Sequence, residues 1–351
     1  MLDQAQKEIR KGEEIDLNRL SDYLNQTLNT QHQIEILQFP GGHSNLTYLL
    51  KFGEREMVLR KPPAGAKHIK GGHDMKREYK VLSLLKPVFS KVPQVILFCE
   101  DESIIGTEFY LMERLQGVVL RSKKPEGIDL NPAFIRQLST SFIDNFIELQ
   151  SVDAYQSGLI SIGKPEGYVL RQIEGSLQRY QNVATENIPE VEIIGEWLKK
   201  NQPNVSRVSV IHNDYKFDNV AYKPDFSEIV GVFDWEMATV GDPFADLGMV
   251  LGYWLEPGEP NMLNTWATSM PGAFTRKELL AYYEEKCQLK VPNPLFYYVL
   301  SLLKNGVVAQ QLYYRFAKGF TQDERLGKIG PFIKIFFQTT LEVIKSGRLG
   351  K

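Results

Sequence analysis

Apolar residues at Leu17, Leu20, Leu24 and Leu28 recur at intervals of three and four, which draws one stripe along a helix over residues 15–28. The period then changes. Segments 33–39, 46–52 and 56–61 are short and rich in apolar, β-branched or aromatic residues, with Gly41-Gly42 and Gly53-Glu54 between them. They predict three antiparallel strands joined by hairpins. After a loop rich in Pro, Gly and Lys (Pro62 to Gly72), Asp74 is placed to cap a helix whose apolar face is Met75, Tyr79, Leu82 and Leu85. Two further strands are expected at 94–99 and 104–113, split by the polar turn Glu100-Asp101-Glu102-Ser103.

The character changes again after Gly117. Phe134, Leu138, Phe142, Phe146 and Leu149 predict a long amphipathic helix over about 131–150, and helical patterns continue at 166–201, 275–288 and 294–317. Between them lies a strand-like island, Val208 to Tyr222 and Ile229 to Phe233. A mostly β part (about 30–115) therefore precedes a mostly α part (about 120–350), an α+β chain with its boundary near Leu115–Leu120.

Composition adds exclusions. A length of 351 residues allows about two structural units, and 43% apolar with 24% charged residues excludes disorder as the dominant state. With 41 Lys+Arg against 43 Asp+Glu there is no basic surplus to bind a polyphosphate backbone, so no nucleic-acid partner is expected. Cys99 and Cys287 read as buried thiols of a reducing compartment, and Met1 to Glu8 lacks signal-peptide character. The most apolar stretch, Pro294 to Leu303, stops at Lys304, short of the roughly 20 residues that span a bilayer. A cytoplasmic protein without a membrane partner is the expectation; oligomeric state is left open.

The chemistry concentrates in His212-Asn213-Asp214-Tyr215-Lys216-Phe217-Asp218-Asn219, followed by Val232-Phe233-Asp234-Trp235-Glu236. Phosphoryl transfer from ATP needs an acceptor for the hydroxyl proton, oxygen ligands for Mg²⁺ and cations for the phosphates. Asp214, Asn219 five residues on and Asp234 fifteen further supply one base and two hard oxygens, enough for a metal that keeps phosphate and water ligands. No Gly-x4-Gly-Lys-Ser/Thr loop and no Gly-x-Ser-x-Gly elbow is present. His68 and His73 are not completed to a metal site by cysteines or carboxylates.

Six segments occur in order: FPGGHSNLTYLL, MVLRKPP, HDMKREYKVL, GTEFYLMERLQG, VIHNDYKFDNV and GVFDWEMATVGDPFADLG. On these the chain resembles, over roughly residues 30–320, the aminoglycoside phosphotransferase/choline kinase family. It is similar in particular to the kinase-like half of certain acyl-CoA dehydrogenase fusion proteins. The resemblance implies a two-lobed protein-kinase-like fold: an N-terminal helical segment (1–30), a small antiparallel-sheet N-lobe (31–115) and a larger, mostly helical C-lobe (116–351), with the nucleotide between the lobes. It implies ATP and Mg²⁺, Asp214 as catalytic base, Asn219 and Asp234 as metal ligands, and His212 as a brace of the catalytic loop. Lys216 would neutralise the transferring phosphoryl group, or is an ordinary surface lysine. Gly41, Gly42, Ser44 and Asn45 would approach the phosphates.

The third strand offers Arg60 and Lys61 with opposite facing; the family frame favours Arg60, paired with Glu78, and Lys61 is the fallback. Met112 would pack on adenine, and the backbone at Glu113–Leu115 would bond its edge. Asp246 is expected to hold the loop backbone, Asp242 to cap a turn, and Asp218 to be a solvated or structural carboxylate. Glu236 would face the acceptor. His73 matches a histidine of the fusion-type relatives. The family usually has glycine where this chain has Asn213, the non-glycine that best tolerates left-handed backbone.

The implied activity is transfer of the γ-phosphoryl group to a hydroxyl of a small molecule: a hydroxyacyl thioester, amino alcohol, sugar or aminoglycoside. The segments at about 155–200 and 253–290 would form its pocket. The alternative is a nucleotide-binding regulatory module without catalysis, against which the complete Asp214, Asn219 and Asp234 set argues. Protein kinase activity is disfavoured, since no Ala-Pro-Glu segment follows Asp234.

Overall fold

A computed structural model describes residues 9–39, 45–63, 74–122, 124–125, 127–204, 207–259 and 266–350. Helix α1 (Leu17–Leu28) starts on Asp16, whose carboxylate accepts from the N–H groups of Asn18 and Arg19. Strands β1 (Ile34–Gln38), β2 (Leu46–Phe52) and β3 (Arg55–Lys61) lie where alternation places them, and Asp74 caps α2 (Met75–Leu85). Beyond β4 (Val95–Cys99) the expectation of a strand from 104 fails. Asp101 accepts from the Ser103 N–H and turns the chain into a single helical turn, α3 (Glu102–Ile105), closed by Gly106 at φ 82°. Strand β5 is thus confined to Phe109–Glu113.

After the short β6 (Val118–Val119), α4 (Pro132–Gln150) opens on the Asn131 cap. The helical pattern at 166–201 is two helices, α5 (Tyr168–Val183) and α6 (Glu190–Asn201), because Pro189 disfavours helical backbone at Ile188. The strand island resolves into β7 (Ser209–Ile211), β8 (Val220–Tyr222) and β9 (Ile229–Val232); β10 (Thr239–Gly241) follows. Helices α7 (Pro243–Tyr253), α8 (Arg276–Cys287), α9 (Pro294–Ala317), α10 (Glu324–Gly327) and α11 (Gly330–Ser346) complete the chain. Helix α7 was invisible to periodicity because it is buried all round from Pro243 to Gly252 and has no polar face to alternate with.

Two compact units result, and the chain passes between them several times. One comprises Met1–Ile128, Gln156–Ile162 and Phe217–Ala238; the other comprises Asp129–Tyr155, Gly163–Lys216 and Thr239–Lys351. The first is built on an antiparallel sheet in the order β1-β2-β3-β5-β4. Leu20 and Leu24 of α1 join Tyr48, Leu50, Met57, Leu59, Phe109 and Leu111 in one core. Because side chains alternate, this assigns Met57, Leu59 and Lys61 to the α1 face, and Val58 and Arg60 to the other. A second sheet, β6-β8-β9, belongs to the same unit.

The other unit is mostly helical, with β7 paired to β10. Helices α7 and α9 pack so closely that a Cβ at Gly248 would stand 2.4 Å from the Tyr297 carbonyl oxygen. Among the described residues, no helix is long and apolar enough to cross a membrane.

Candidate active site

In the sheet unit, facing decides between the two cations of β3. Arg60 Nη1 lies 3.2 Å from Glu78 Oε1, and Nη2 lies 3.3 Å from Asp234 Oδ1. Arg60 is 8% exposed and Glu78 1%. Lys61, on the opposite face, lies near Glu13 instead, and desolvation lowers its pKa. Burial pushes the Glu78 carboxyl up, opposed by the Arg60 guanidinium. Desolvation works against the Arg60 charge too, but Glu78, Tyr110, Asp234 and Glu236 outweigh it, so the guanidinium stays protonated. Tyr110, paired across the sheet with Arg60, is fully buried beside Glu78. Arg60 Nε and Glu78 Oε2 have no hydrogen-bond partner among the described residues, so the pair keeps capacity for a further polar group.

Helix α2 is fastened to the segment after Asp234: Arg77 Nη2 donates to the Ala238 carbonyl at 2.7 Å. Asp234 has left-handed backbone, φ 66°, which a short polar side chain tolerates. The Phe233 N–H donates to the Asn219 carbonyl at 2.8 Å, so the two candidate ligand positions lie side by side at the open end of the β8–β9 hairpin. Asn45 Nδ2 donates to Glu236 Oε2 at 2.8 Å. Glu113 is also engaged: its N–H donates to the Gln94 carbonyl, and its carboxylate meets Lys86 Nζ at 3.0 Å. Met112 is buried opposite Val58, and Leu115 packs over Gly231. Gly41, Gly42, Ser44, His68 and His73 lie outside the described residues.

In the helical unit, Asp246 of α7 is fully buried and accepts the N–H groups of His212 and Asn213, both at 2.8 Å. It holds the backbone of the His212-Asn213 loop, and burial raises its pKa. His212 Nδ1 accepts the Asp214 N–H at 3.2 Å, and the buried imidazole packs edge-on to Tyr215. Asn213 has φ 66°, the left-handed backbone expected of it. Lys216 Nζ sits 2.9 Å from Asp214 Oδ2 and 5.4 Å above the Tyr253 ring centroid. Asp242 caps α7 by accepting the Phe244 N–H and also takes the Tyr297 hydroxyl at 2.7 Å.

Three residues near the Asn213-Asp214 pair were missed from sequence. Tyr253, at the end of α7, hydrogen-bonds to Asp214 through its hydroxyl. Lys304 Nζ and the Tyr168 hydroxyl donate to Asn213 Oδ1 at 2.8 and 3.0 Å. Lys304 had a signal, a cation directly after an apolar helical run; the tyrosines had none.

The candidate phosphotransfer residues fall into two groups, one in each unit. One holds a buried arginine–carboxylate set able to meet phosphates; the other holds a carboxylate fixed on a braced loop. The sequence comparisons agree. The phosphotransferase enzyme family matches residues 35–272, and the chain belongs to that family. It is 31% identical to acyl-CoA dehydrogenase family member 11 of Homo sapiens over 350 residues, 96% of this chain and 44% of that protein. It is 32% identical to family member 10 of Mus musculus, over 89% of this chain and 29% of that protein. The chain thus spans less than half the length of these relatives.

Among solved structures, a Ralstonia eutropha JMP134 protein assigned to the aminoglycoside phosphotransferases superposes with TM-score 0.79 at 25% identity, covering 95% of this chain and 99% of its own. Aminoglycoside phosphotransferase APH(4)-Ia in complex with ADP and hygromycin B has TM-score 0.59 at 15% identity, covering 92% of this chain and 98% of its own. The fold is the α+β kinase-like fold of these enzymes.

Proposed function

We propose that this chain transfers the γ-phosphoryl group of ATP to a hydroxyl of a small molecule, with Mg²⁺. The observation that carries the reading is Arg60, buried and paired at once with Glu78 and Asp234. A guanidinium fixed by a helix carboxylate presents a rigid fork to phosphate oxygens, where a lysine would present a point charge. Asn219 and Asp234 would hold Mg²⁺: both offer hard oxygens, and the Phe233–Asn219 bond keeps their loops together. Mg²⁺, when bound, would offset charge on the phosphates. Since the Glu113 N–H is already used by Gln94, the adenine edge would be met by the Glu113 carbonyl and the Leu115 backbone.

Asp214 would accept the acceptor's hydroxyl proton on a loop that needs no rearrangement, and Lys216 would neutralise the group in transit. Among acceptors we rank a hydroxyacyl thioester first. The curated relatives are named for acyl-CoA dehydrogenation, whereas the neighbours solved with hygromycin B or kanamycin stand at 15–17% identity.

The test is consumption of Mg·ATP by the purified chain with hydroxyacyl-CoAs, amino alcohols, sugars and aminoglycosides, read as ADP and phosphorylated product. Asp214→Asn should lose turnover by roughly 10²–10⁴-fold, while nucleotide affinity stays within a few-fold. Retained turnover in that variant removes Asp214 as the base. Mg²⁺-dependent nucleotide binding with no product from any acceptor favours the regulatory module instead.

A further inference from the structure

Left-handed backbone costs glycine nothing and strains any residue with a Cβ, so a side chain at position 213, φ 66°, calls for a compensating interaction. That interaction is with Lys304. This lysine stands in α9, eight per cent exposed, after an apolar run, and its ammonium donates to Asn213 Oδ1 at 2.8 Å. The same oxygen takes the Tyr168 hydroxyl at 3.0 Å, and the Asn213 N–H is held by Asp246. The residue before the proposed base is therefore fixed by its backbone from α7 and by its side chain from α5 and α9.

We propose that Lys304 is a positioning residue for Asp214, acting through the Asn213 side chain, so that the catalytic loop is tied to the protonation of one buried amine. The proposal rests on the reading of Asp214 as the base. A glycine at 213 could not make the link, because it has no side-chain oxygen to offer.

The charges acting on Lys304 come from three elements: Asp246 on α7 and Asp214 on the loop favour the ammonium, and Arg179 on α5 opposes it. Burial outweighs the carboxylates and pushes the amine down to about 8. Above that pH the tie loses its charge, and the carboxylates of Asp246 and Asp214 lose a cation that partly offsets them.

The experiment is backbone amide NMR of the full ¹⁵N-labelled chain across neutral to alkaline pH, for wild type, Lys304→Arg, Lys304→Met and Asn213→Gly. In wild type the Asn213 and Asp214 amides should shift with a common midpoint near 8. Lys304→Arg, which stays charged, should abolish that shift and remains informative if Lys304→Met fails to fold. Asn213→Gly, which suits the backbone, should uncouple the Asp214 amide. Absence of the shift in wild type, its persistence in Lys304→Arg, or an unchanged Asp214 response in Asn213→Gly each overturns the proposal.

Turnover of Mg·ATP, with the acceptor found by screening or with water, is read in parallel. Its alkaline limb should track the amide midpoint in wild type and move out of range in Lys304→Arg. Amide coupling without turnover in wild type upholds the tie and defeats the phosphotransferase reading; turnover without amide coupling does the reverse.

Discussion

The two groups of candidate residues, one in each unit, are held by different forces. In the sheet unit the central contacts join charge to charge: Arg60 to Glu78 and Asp234, all drawn from one face of β3, from α2 and from the turn after β9. In the helical unit the loop is held mainly by hydrogen bonds to its backbone, two of them given to Asp246 and one to His212. A charge cluster can exchange a carboxylate for a phosphate, because its partners are interchangeable in kind. A backbone cradle has one geometry only. The first arrangement suits a site that must receive a polyanion, the second a base that must not move.

The strongest way to break this contrast is to remove the central cation. Arg60→Met leaves Glu78 buried without its counter-charge, which should cost about 3–5 kcal/mol in urea unfolding. Arg60→Met with Glu78→Gln should recover much of that loss, since no uncompensated charge is left inside. A double variant as unstable as the single one would show that shape, not charge, holds the sheet unit's site. Nucleotide affinity should stay poor in both.

Next in size is a pH effect from Lys304, a deeply buried cation of the helical unit. Lys304 has its pKa pushed down to about 8 from the ordinary lysine value of 10.5, with burial the main cause. Between these values the unfolded chain binds more protons than the folded one, so stability should rise with pH across that window. Below about 8 both states are protonated and the full cost is present. The rise should be on the order of 3 kcal/mol and absent from Lys304→Met, measured as the difference in unfolding free energy between the two proteins. A flat difference would mean that Lys304 is solvated and that the loop's charge tie is weak.

Asp246→Asn probes the cradle itself. One amide oxygen can still accept an N–H, but the NH₂ group that replaces the second oxygen faces another donor. The expected cost is about 1–3 kcal/mol for the N–H left unsatisfied. Turnover should fall more steeply than nucleotide affinity, because the disturbed backbone carries Asp214 and not the sheet unit's residues.

What the sequence showed of this contrast depends on how local each cause is. Asp214, Asn219 and Asp234 were legible because they are close along the chain, and the left-handed Asn213 because backbone tolerance is a property of the residue itself. Arg60 against Lys61 was not decidable from alternation alone; it took α1, packed on Met57 and Leu59, to assign the faces. The helical turn at Glu102–Ile105 was lost because one Asp101 side chain outweighed the β propensity of Ile104 and Ile105. Tyr253, Tyr168 and Lys304 are far from the loop in sequence, and only the close packing of α7 on α9 and the course of α5 make them neighbours of it.

The smallest expected effect is the sharpest on the nature of the cradle. Tyr253→Phe removes one hydroxyl bonded to Asp214 but keeps the ring beneath Lys216, and Lys216 keeps both carboxylate oxygens within reach. If backbone bonds to Asp246 and His212 position the loop, the loss should be about 0.5–1.5 kcal/mol, the net worth of one hydrogen bond. Unfolding midpoints and turnover of this variant should then sit close to wild type. A loss as large as that of Arg60→Met would mean that Asp214 is held by its side-chain partners after all, and the two units would share one mode of construction.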